Sequence, residues 1–181
     1  MDYTTEQITL NLHILKLNSA FESMQLVVTE KYGAEDFLIQ ELIEDCIRLD
    51  QSEWHAWLMV TFKLSGVVES FYRRSRKLQS RVYFVDGLQH GTSEEWNENG
   101  LLRGKENFYE GKKFGYSEFY FDNGVPMLRR QYKNGELDGM LQRWDRMGQY
   151  IVEDYFKDDK LIYSKKFTPR EKYLYAQVGG E

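Results

Sequence analysis

The stretch Tyr132-Lys133-Asn134-Gly135-Glu136-Leu137-Asp138-Gly139 decides the fold, because its spacing of aromatic and glycine residues recurs along the second half of the chain. Five columns of similar residues repeat every 24 residues without a gap. The columns are Gly87/Gly111/Gly135, Gly91/Gly115/Gly139, Gly100/Gly124/Gly148, Phe84/Phe108/Tyr132/Phe156 and Trp96/Tyr120/Trp144. Self-similarity at a fixed period is the signature of a repeat architecture, so this half of the chain is expected to be an array of one structural unit.

Each unit is predicted to be a two-stranded hairpin. Asn99-Gly100 and Asn123-Gly124 are strong turn pairs, because both residue types tolerate a positive φ, and Met147-Gly148 fills the same place less well. Glycine pairs such as Gly87 and Gly91 are expected to bracket a second turn. The segments between turns are about 6–10 residues long and rich in aromatic and charged residues, which suits strands. Successive hairpins should therefore form one antiparallel meander of about seven strands, with the aromatic columns forming a ladder on one face.

The units 83–107, 108–131 and 132–155, with a partial unit at 156–167, resemble MORN repeats. They are most similar to the longer MORN variant of bacterial antitoxin-like proteins. The resemblance implies an elongated, twisted antiparallel sheet that contacts proteins or lipids and carries no catalytic residues. The last unit departs from the pattern, since Asp158-Asp159 stands where glycine is expected. The segment 168–181 then begins with a capping-box sequence, and it predicts a short helix that caps the last strand.

Residues 1–80 follow a helical period and predict a helical N-terminal domain, so the expected fold class is α+β. An apolar stripe predicts one helix from about Thr5 to Tyr32. A second helix is expected over about Glu35–Leu49, and a third begins after Ser52 and ends at Gly66. The segment Val67–Lys77 is expected to be helical and to lead into the sheet.

The region 36–66 resembles a degenerate F-box, a three-helix unit. The resemblance is carried by Glu41-Leu42, Trp54 and Trp57 in their order along the chain. It implies that Leu42, Trp54 and Trp57 contact an adaptor subunit of a ubiquitin ligase. F-box-like heads joined to MORN-like repeats are known in large DNA viruses that infect amoebae, and this arrangement is similar to theirs.

Composition excludes several classes of protein. The chain carries 24 Lys+Arg against 29 Asp+Glu, and this acidity argues against a nucleic-acid binder that works by neutralising phosphates. Cys46 is the only cysteine, so no internal disulfide forms and a reducing compartment is expected. The N-terminus is polar and acidic, unlike a signal peptide, and no apolar run approaches the roughly 20 residues of a membrane span. We therefore expect an intracellular, cytoplasmic protein without a transmembrane segment.

No residue set has the spacing of a catalytic, cofactor-binding or metal site. His13, His55 and His90 are scattered, and none stands with Cys, Asp or Glu at a zinc-ligand spacing. The glycines do not open a helix after a strand, so they do not form a phosphate-binding loop. The sequence therefore predicts a protein that is not an enzyme and needs no cofactor.

One basic cluster lies at the junction of the two halves, at Arg73, Arg74, Arg76, Lys77 and Arg81. We interpret it as a solvated hinge whose charges meet acidic side chains. The alternative is a contact with an anionic lipid head group or an acidic partner, which should weaken steeply with salt.

The expected function is that of a structural or protein-interaction protein whose sheet docks a protein partner, with the aromatic columns as the contacts. A component of a virus particle or of another large assembly is the first specific expectation. Two alternatives stay open: a substrate adaptor of a ubiquitin ligase, and an antitoxin that binds a partner toxin.

Overall fold

The structure, a computed structural model, describes residues 9–10, 15, 20–33 and 35–167. The chain divides into two compact units: residues up to Ser70 together with Tyr83–Leu88, and Phe71–Val82 together with the chain from Gln89 onward. The secondary structure of the described residues is mixed: it comprises three helices and a large antiparallel meander. This confirms the α+β class. The predicted capping helix over 168–181 lies outside the described residues.

The first unit opens with a short strand pair rather than one long helix. Strand β1, Thr9–Leu10, pairs antiparallel with β2, Phe37–Leu38. The prediction of a continuous helix from Thr5 to Tyr32 is therefore wrong at Thr9–Leu10, and α1 covers Glu22–Tyr32. Helix α2 covers Ile39–Arg48 and starts later than predicted, because Phe37–Leu38 belongs to the strand pair. Helix α3 covers Ser52–Thr61, so the predicted third helix is present, but it ends at Thr61 rather than at Gly66.

The helices enclose an apolar core. Its best-buried side chains are at most 1% exposed, and they are Leu10, Leu15, Met24, Val28, Leu42, Cys46 and Leu58. Asp45 on α2 is buried with them, and it accepts hydrogen bonds from Lys31 Nζ (2.6 Å) and Arg48 Nη2 (2.7 Å). Burial raises the pKa of the Asp45 carboxyl, but the bonds from Lys31 and Arg48 outweigh it and leave that pKa below its usual range. The charged network therefore joins α2 to α1 across the edge of the core.

The segment predicted to be the fourth helix is instead extended. Strand β3 covers Gly66–Phe71, so the prediction of helix over Val67–Lys77 is wrong. Two adjacent valines and a phenylalanine suit a pleated strand better than a helix. The chain then turns over 72–77, where Tyr72 N donates to Lys77 O at 2.9 Å, and it continues as β4, Leu78–Val85.

The meander follows without a crossover. Its strands are β5 Leu88–Gln89, β6 Gly91–Trp96, β7 Leu102–Tyr109, β8 Lys112–Tyr120, β9 Pro126–Lys133, β10 Glu136–Trp144, β11 Tyr150–Lys157 and β12 Lys160–Lys166. The strand order is β12-β11-β10-β9-β8-β7-β6-β4-β3, with β5 paired to β4. Every pairing from β6 to β12 is antiparallel, so the predicted meander is confirmed.

The tight turns lie at a different place in the repeat than predicted. Both residues have positive φ at Asp86-Gly87, Glu110-Gly111, Asn134-Gly135 and Asp158-Asp159. Only the glycine has positive φ at the predicted turn pairs, which are Asn99-Gly100, Asn123-Gly124 and Met147-Gly148. The prediction of two-residue turns at these three pairs is therefore wrong.

The loops at Gly100, Gly124 and Gly148 are longer than two residues. In each loop the glycine N–H donates to the carbonyl three residues earlier, that of Asn97, Phe121 or Asp145, at 2.8 to 2.9 Å. Such loops are built on a type I turn and need one left-handed residue at their end. Gly148 supplies that residue with φ of 78°. The residue before the glycine needs no positive φ, which explains why the third loop accepts a methionine where the first two have asparagine.

The second glycine of each predicted bracket lies inside a strand. Gly115 is in β8 and Gly139 is in β10, both with positive φ. The pairing register shifts around Gly115: Glu106 is opposite Ser117, whereas Phe108 is opposite Lys113. These glycines therefore mark bulges, which allow the strand to twist without losing its partner.

One backbone hydrogen bond recurs with the repeat. Gly111 N donates to Gln89 O, Gly135 N to Lys113 O and Asp159 N to Leu137 O, at 2.8 to 3.0 Å. The tight turn of each unit is thereby tied to the strand of the unit before it. Asp159 makes the same bond as Gly111 and Gly135. The last turn therefore keeps the repeat geometry although it has aspartate in place of glycine.

Candidate functional site: the two faces of the meander

The pairing registers sort the meander's side chains onto two faces. Residues directly opposite one another in a sheet share a face. One row of such partners is Glu94, Lys105, Glu118, Arg129, Gln142, Glu153 and Lys165. We name its side the tyrosine face, because Tyr116, Tyr155 and Tyr163 lie on it. The opposite side, the phenylalanine face, carries the row Glu95, Gly104, Phe119, Leu128, Arg143, Val152 and Lys166.

The two aromatic columns lie on opposite faces, so the prediction of one ladder on one face is wrong. Phe108, Tyr132 and Phe156 belong to the phenylalanine face and are half-buried. The column of Trp96, Tyr120 and Trp144 belongs to the tyrosine face and is also half-buried. The columns are 12 residues apart, and adjacent strands from β6 to β11 pair an even-numbered with an odd-numbered residue, so the two columns point to opposite faces. Phe84, at the head of the first column, is buried in the first unit.

A row of charges crosses the tyrosine face with alternating sign. Lys105 Nζ lies 2.7 Å from Glu118 Oε2, and Arg129 Nη2 lies 2.6 Å from Glu118 Oε1. Burial raises the pKa of the Glu118 carboxyl, but the hydrogen bonds from Lys105 and Arg129 outweigh it and hold that pKa below its usual range. The same contact raises the pKa of Lys105. Both oxygens of Glu118 are thus used within the sheet.

The row continues with neutral and acidic groups. Gln142 Nε2 donates to Tyr150 Oη at 3.1 Å, and Tyr150 Oη donates to Glu153 Oε2 at 2.8 Å. Burial and the neighbouring carboxylate raise the pKa of Tyr150 to about 12, so the phenol stays protonated and donates. Because the charges of this row are balanced by their neighbours, the row stabilises the sheet and leaves little net charge for a partner.

Beside the charge row runs a strip of exposed tyrosines, which the sequence analysis did not identify. Tyr155 is directly opposite both Met140 and Tyr163, and Tyr116 is opposite Gln131. Tyr116, Tyr155 and Tyr163 are 48%, 38% and 49% exposed. We name Tyr116, Met140, Tyr155 and Tyr163 the tyrosine strip. Tyr116 and Met140 are 24 residues apart in the sequence, but the shift at β12 displaces the next member to Tyr163, which hides the column.

The residues predicted to contact an adaptor lie mostly in the core of the first unit. Leu42 is fully buried and Trp54 is 7% exposed. Trp57 is half-buried, and its ring makes edge contacts with Phe21 and Phe62 at centroid distances of 6.5 and 6.0 Å. Only Trp57 of the three therefore presents part of its surface to solvent.

The basic cluster has internal partners. The Arg81 guanidinium lies over the Trp96 ring at 5.8 Å, and Arg76 lies over Phe71 at 5.7 Å. Lys77 Nζ donates to Glu98 O at 3.1 Å. Arg73 and Arg74 are exposed in the turn between β3 and β4.

The described histidines and the cysteine have different surroundings. His13 lies outside the described residues, His55 is buried in α3, and the His90 ring lies 5.1 Å from that of Tyr109. Burial raises the pKa of the Cys46 thiol to about 12, so it is unreactive at neutral pH. In the part of the chain that the structure describes, no three His, Cys, Asp or Glu side chains are grouped to hold a metal ion. The described helices are also too short or too polar to cross a bilayer.

Comparisons with known proteins add little. No protein-family model and no characterised protein matches the chain. A solved structure described as "Crystal structure of GtfA/B complex bound to UDP and GlcNAc" is similar over 64% of this chain, with 10% identity and a TM-score of 0.34. This chain spans 26% of that protein's length.

Proposed function

We propose that this chain is a non-enzymatic interaction protein whose repeat sheet docks a protein partner through the tyrosine strip. The observation that carries the proposal is the exposure of Tyr116, Tyr155 and Tyr163 on one face of the sheet. Tyrosine is enriched at the centres of protein interfaces, because its ring is large and its hydroxyl keeps a hydrogen-bond partner.

The strip has the dimensions of a recognition surface. It extends from β8 to β12, and strands are about 4.8 Å apart, so it is about 19 Å long. The neighbouring charge row is internally balanced, so contact should depend on apolar area and tyrosine hydroxyls rather than on salt-sensitive attraction. This favours a protein partner over an anionic lipid surface.

The repeat character supports the same proposal. The recurring turn bond and the antiparallel pairing are compatible with MORN-like units, and we propose that the sheet is such an array. Repeat sheets offer an extended surface on which equivalent positions recur, which suits a component of a large assembly such as a virus particle.

The test is capture of the partner from the native source by the full chain and by matched variants. The triple variant Tyr116→Thr, Tyr155→Thr and Tyr163→Thr removes the aromatic rings but keeps strand propensity. We expect it to lose a protein that the wild type recovers at both low and high salt. The control Tyr109→Thr removes a tyrosine of similar exposure, 54%, outside the strip and should retain that protein.

Thermal unfolding accompanies the capture experiment. Recovery of the same protein by the triple variant would contradict the proposal. So would a loss of partner accompanied by a large drop in melting temperature, because the strip would then be needed for folding. Recovery that disappears at high salt, or of anionic lipid alone, would instead favour the basic cluster at Arg73 and Arg74.

A further inference from the structure

A cleft opens on the phenylalanine face, away from the tyrosine strip. It has a volume of approximately 220 Å³ and is lined by residues of β4 to β8. Gly104 belongs to its lining, and the Phe119 ring lies close to it, since a side-chain carbon at Gly104 would come within 2.9 Å of that ring. Phe108 lies four residues further along β7 on the same face. The two phenylalanine rings therefore stand toward opposite ends of the cleft, with Glu106 between them.

Two carboxylates line the cleft, and each keeps one oxygen uncommitted to its ion pair. Glu95 Oε1 accepts from Arg103 Nη1 at 2.9 Å, and Glu106 Oε1 accepts from Lys113 Nζ at 2.5 Å. The second oxygen of a carboxylate offers about two further lone pairs to a donor. Because Arg103 and Lys113 already balance these charges, the cleft is close to neutral while remaining rich in acceptors.

Further polar groups stand at and beside the cleft. Ser93 and Gln89, which carry a hydroxyl and an amide, are among its lining residues. Ser117, directly opposite Glu106 on the same face, is 1% exposed, and its Oγ has no hydrogen-bond partner. A buried hydroxyl without a partner is uncommon, because leaving it unpaired costs free energy. It adds a second acceptor or donor close to the Glu106 carboxylate.

We propose that this cleft binds a neutral, hydroxylated six-membered ring, a pyranose. Such a ring places its apolar C–H surface against Phe119 or Phe108 and donates hydroxyl hydrogens to Glu95 and Glu106. The volume is suitable, since a cavity of about 150 Å³ already takes up benzene. The polar groups would fix orientation, as in other small-molecule sites with apolar walls and a few placed polar atoms.

Other ligand classes fit the chemistry less well. A cation would have to displace Arg103 and Lys113 from their carboxylates. An anion would have to compete with Glu95 and Glu106 for Arg103 and Lys113. A purely apolar ligand would cover these carboxylates without giving them a hydrogen bond, which is costly. A neutral donor of several hydroxyl groups avoids all three penalties.

The experiment uses saturation-transfer NMR on the full chain with methyl pyranosides of glucose, galactose and mannose. We expect at least one of them to receive saturation and to bind the wild type measurably. Phe108→Leu and Glu106→Gln should each weaken binding about tenfold, because each removes ring contact or a charged acceptor.

The chain offers matched controls for both variants. Phe156 belongs to the same repeat column as Phe108 but lies outside the cleft, and Glu153 lies on the tyrosine face. Phe156→Leu and Glu153→Gln should therefore leave pyranoside binding unchanged. Melting temperatures of all four variants identify any variant whose loss of binding comes from unfolding.

Three results would overturn the proposal. They are no binding of any pyranoside, equal weakening by the control variants, and binding of ethylguanidinium but not of a pyranoside. Comparison of the methyl pyranoside with a trisaccharide that contains the same ring distinguishes a free sugar from a glycan as the source. The outcome is independent of the tyrosine-strip proposal, since the two sites lie on opposite faces.

Discussion

The two units of the chain are stabilised in different ways. In the first unit, side chains such as Leu42 and Leu58 on adjacent helices are fully buried. In the described part of the meander, Leu141 is the best-buried large apolar side chain, at 5%, and most aromatic rings remain half-exposed. The first unit therefore depends on a shared core, whereas the meander depends on many local cross-strand contacts and turns. Truncation and turn substitutions should separate these two modes.

The largest expected effect is the loss of a core side chain of the first unit. Leu58→Ala creates a cavity in α3 and should lower the free energy of unfolding by about 4 kcal/mol. Leu141→Ala in the meander should cost about 2 kcal/mol, because the site is near the surface and can partly collapse. Urea unfolding followed by tryptophan fluorescence measures both values.

This comparison has a clear contrary outcome. If Leu58→Ala and Leu141→Ala lowered the free energy of unfolding equally, the meander would depend on a packed core as much as the first unit does. Ile162→Ala serves as the control, since Ile162 is 62% exposed and its truncation should change the free energy of unfolding very little.

The second expected effect compares two glycines of one repeat column. Gly87 and Gly135 both have positive φ, of 77° and 95°. A side-chain carbon at Gly87 would come within 2.9 Å of Lys63 Cα and 3.0 Å of Met59 O, whereas at Gly135 the nearest atom is Lys112 Cβ at 3.8 Å. Gly87→Ala should therefore cost about 3 kcal/mol, from backbone strain plus a backbone clash.

Gly135→Ala should lower the free energy of unfolding by only about 1 kcal/mol, because it adds backbone strain without a clash. Thermal unfolding of the two variants gives the difference directly. A similar loss at both positions would show that the repeat turn, and not its surroundings, sets the cost.

The sequence predicted the repeat well because its glycines are required by the backbone. All nine glycines of the three columns have positive φ, and the predicted meander is present. The faces of the aromatic columns were not predictable from the period alone. From β6 to β11 adjacent strands pair an even-numbered with an odd-numbered residue, such as Gly104 with Phe119, so aromatic residues 12 positions apart point to opposite faces. The 24-residue period does not contain this register.

The turn types were predicted less well than the turn positions. Gly100, Gly124 and Gly148 lie in loops as expected, but each is the single left-handed residue of a longer loop. An asparagine before glycine favours a two-residue turn, and it is equally compatible with a type I turn that ends in a left-handed glycine. Met147 before Gly148 was the signal for the longer loop, because methionine has no preference for positive φ.

The first unit was harder to predict. Leu10 and Phe37 lie within the ranges predicted for the first two helices, but they belong to short strands that pair although they are far apart in the sequence. The cleft on the phenylalanine face was also missed, because Gly104 lies outside the glycine columns. A glycine within a strand next to bulky residues is the signal that could have indicated it.

The third expected effect is a pH dependence confined to the first unit. His55 is 4% exposed, its Nε2 has no hydrogen-bond partner, and burial lowers its pKa below the usual 6.5. As the pH falls, His55 therefore becomes protonated near pH 6.5 in the unfolded chain but stays neutral to a lower pH in the folded chain. Stability should be complete above that pH and fall by up to ~1.4 kcal/mol per pH unit below it, until the lower folded pKa is reached.

Urea unfolding at pH 7.5 and 5.5 measures this slope. The variant His55→Leu should abolish the part of the slope between pH 6.5 and 5.5, and His90→Leu in the meander serves as the control. A slope that survives His55→Leu would assign the pH dependence to another group.

The smallest expected effect is a gain in stability at a repeat turn. Glu110 and Asn134 occupy equivalent turn positions, with φ of 49° and 54°. Asparagine tolerates this left-handed conformation better than glutamate, because its short side chain can bond to the local backbone. Glu110→Asn should therefore raise the free energy of unfolding by about 0.5 kcal/mol, and Asn134→Glu should lower it by a similar amount.

Thermal unfolding of the reciprocal pair measures both shifts, and the double variant should return close to wild type because the sites lie in separate turns. Opposite and equal shifts would show that the two turns are energetically equivalent, as a stack of local units requires, whereas a shift at only one turn would mean that the meander is not uniform along its length.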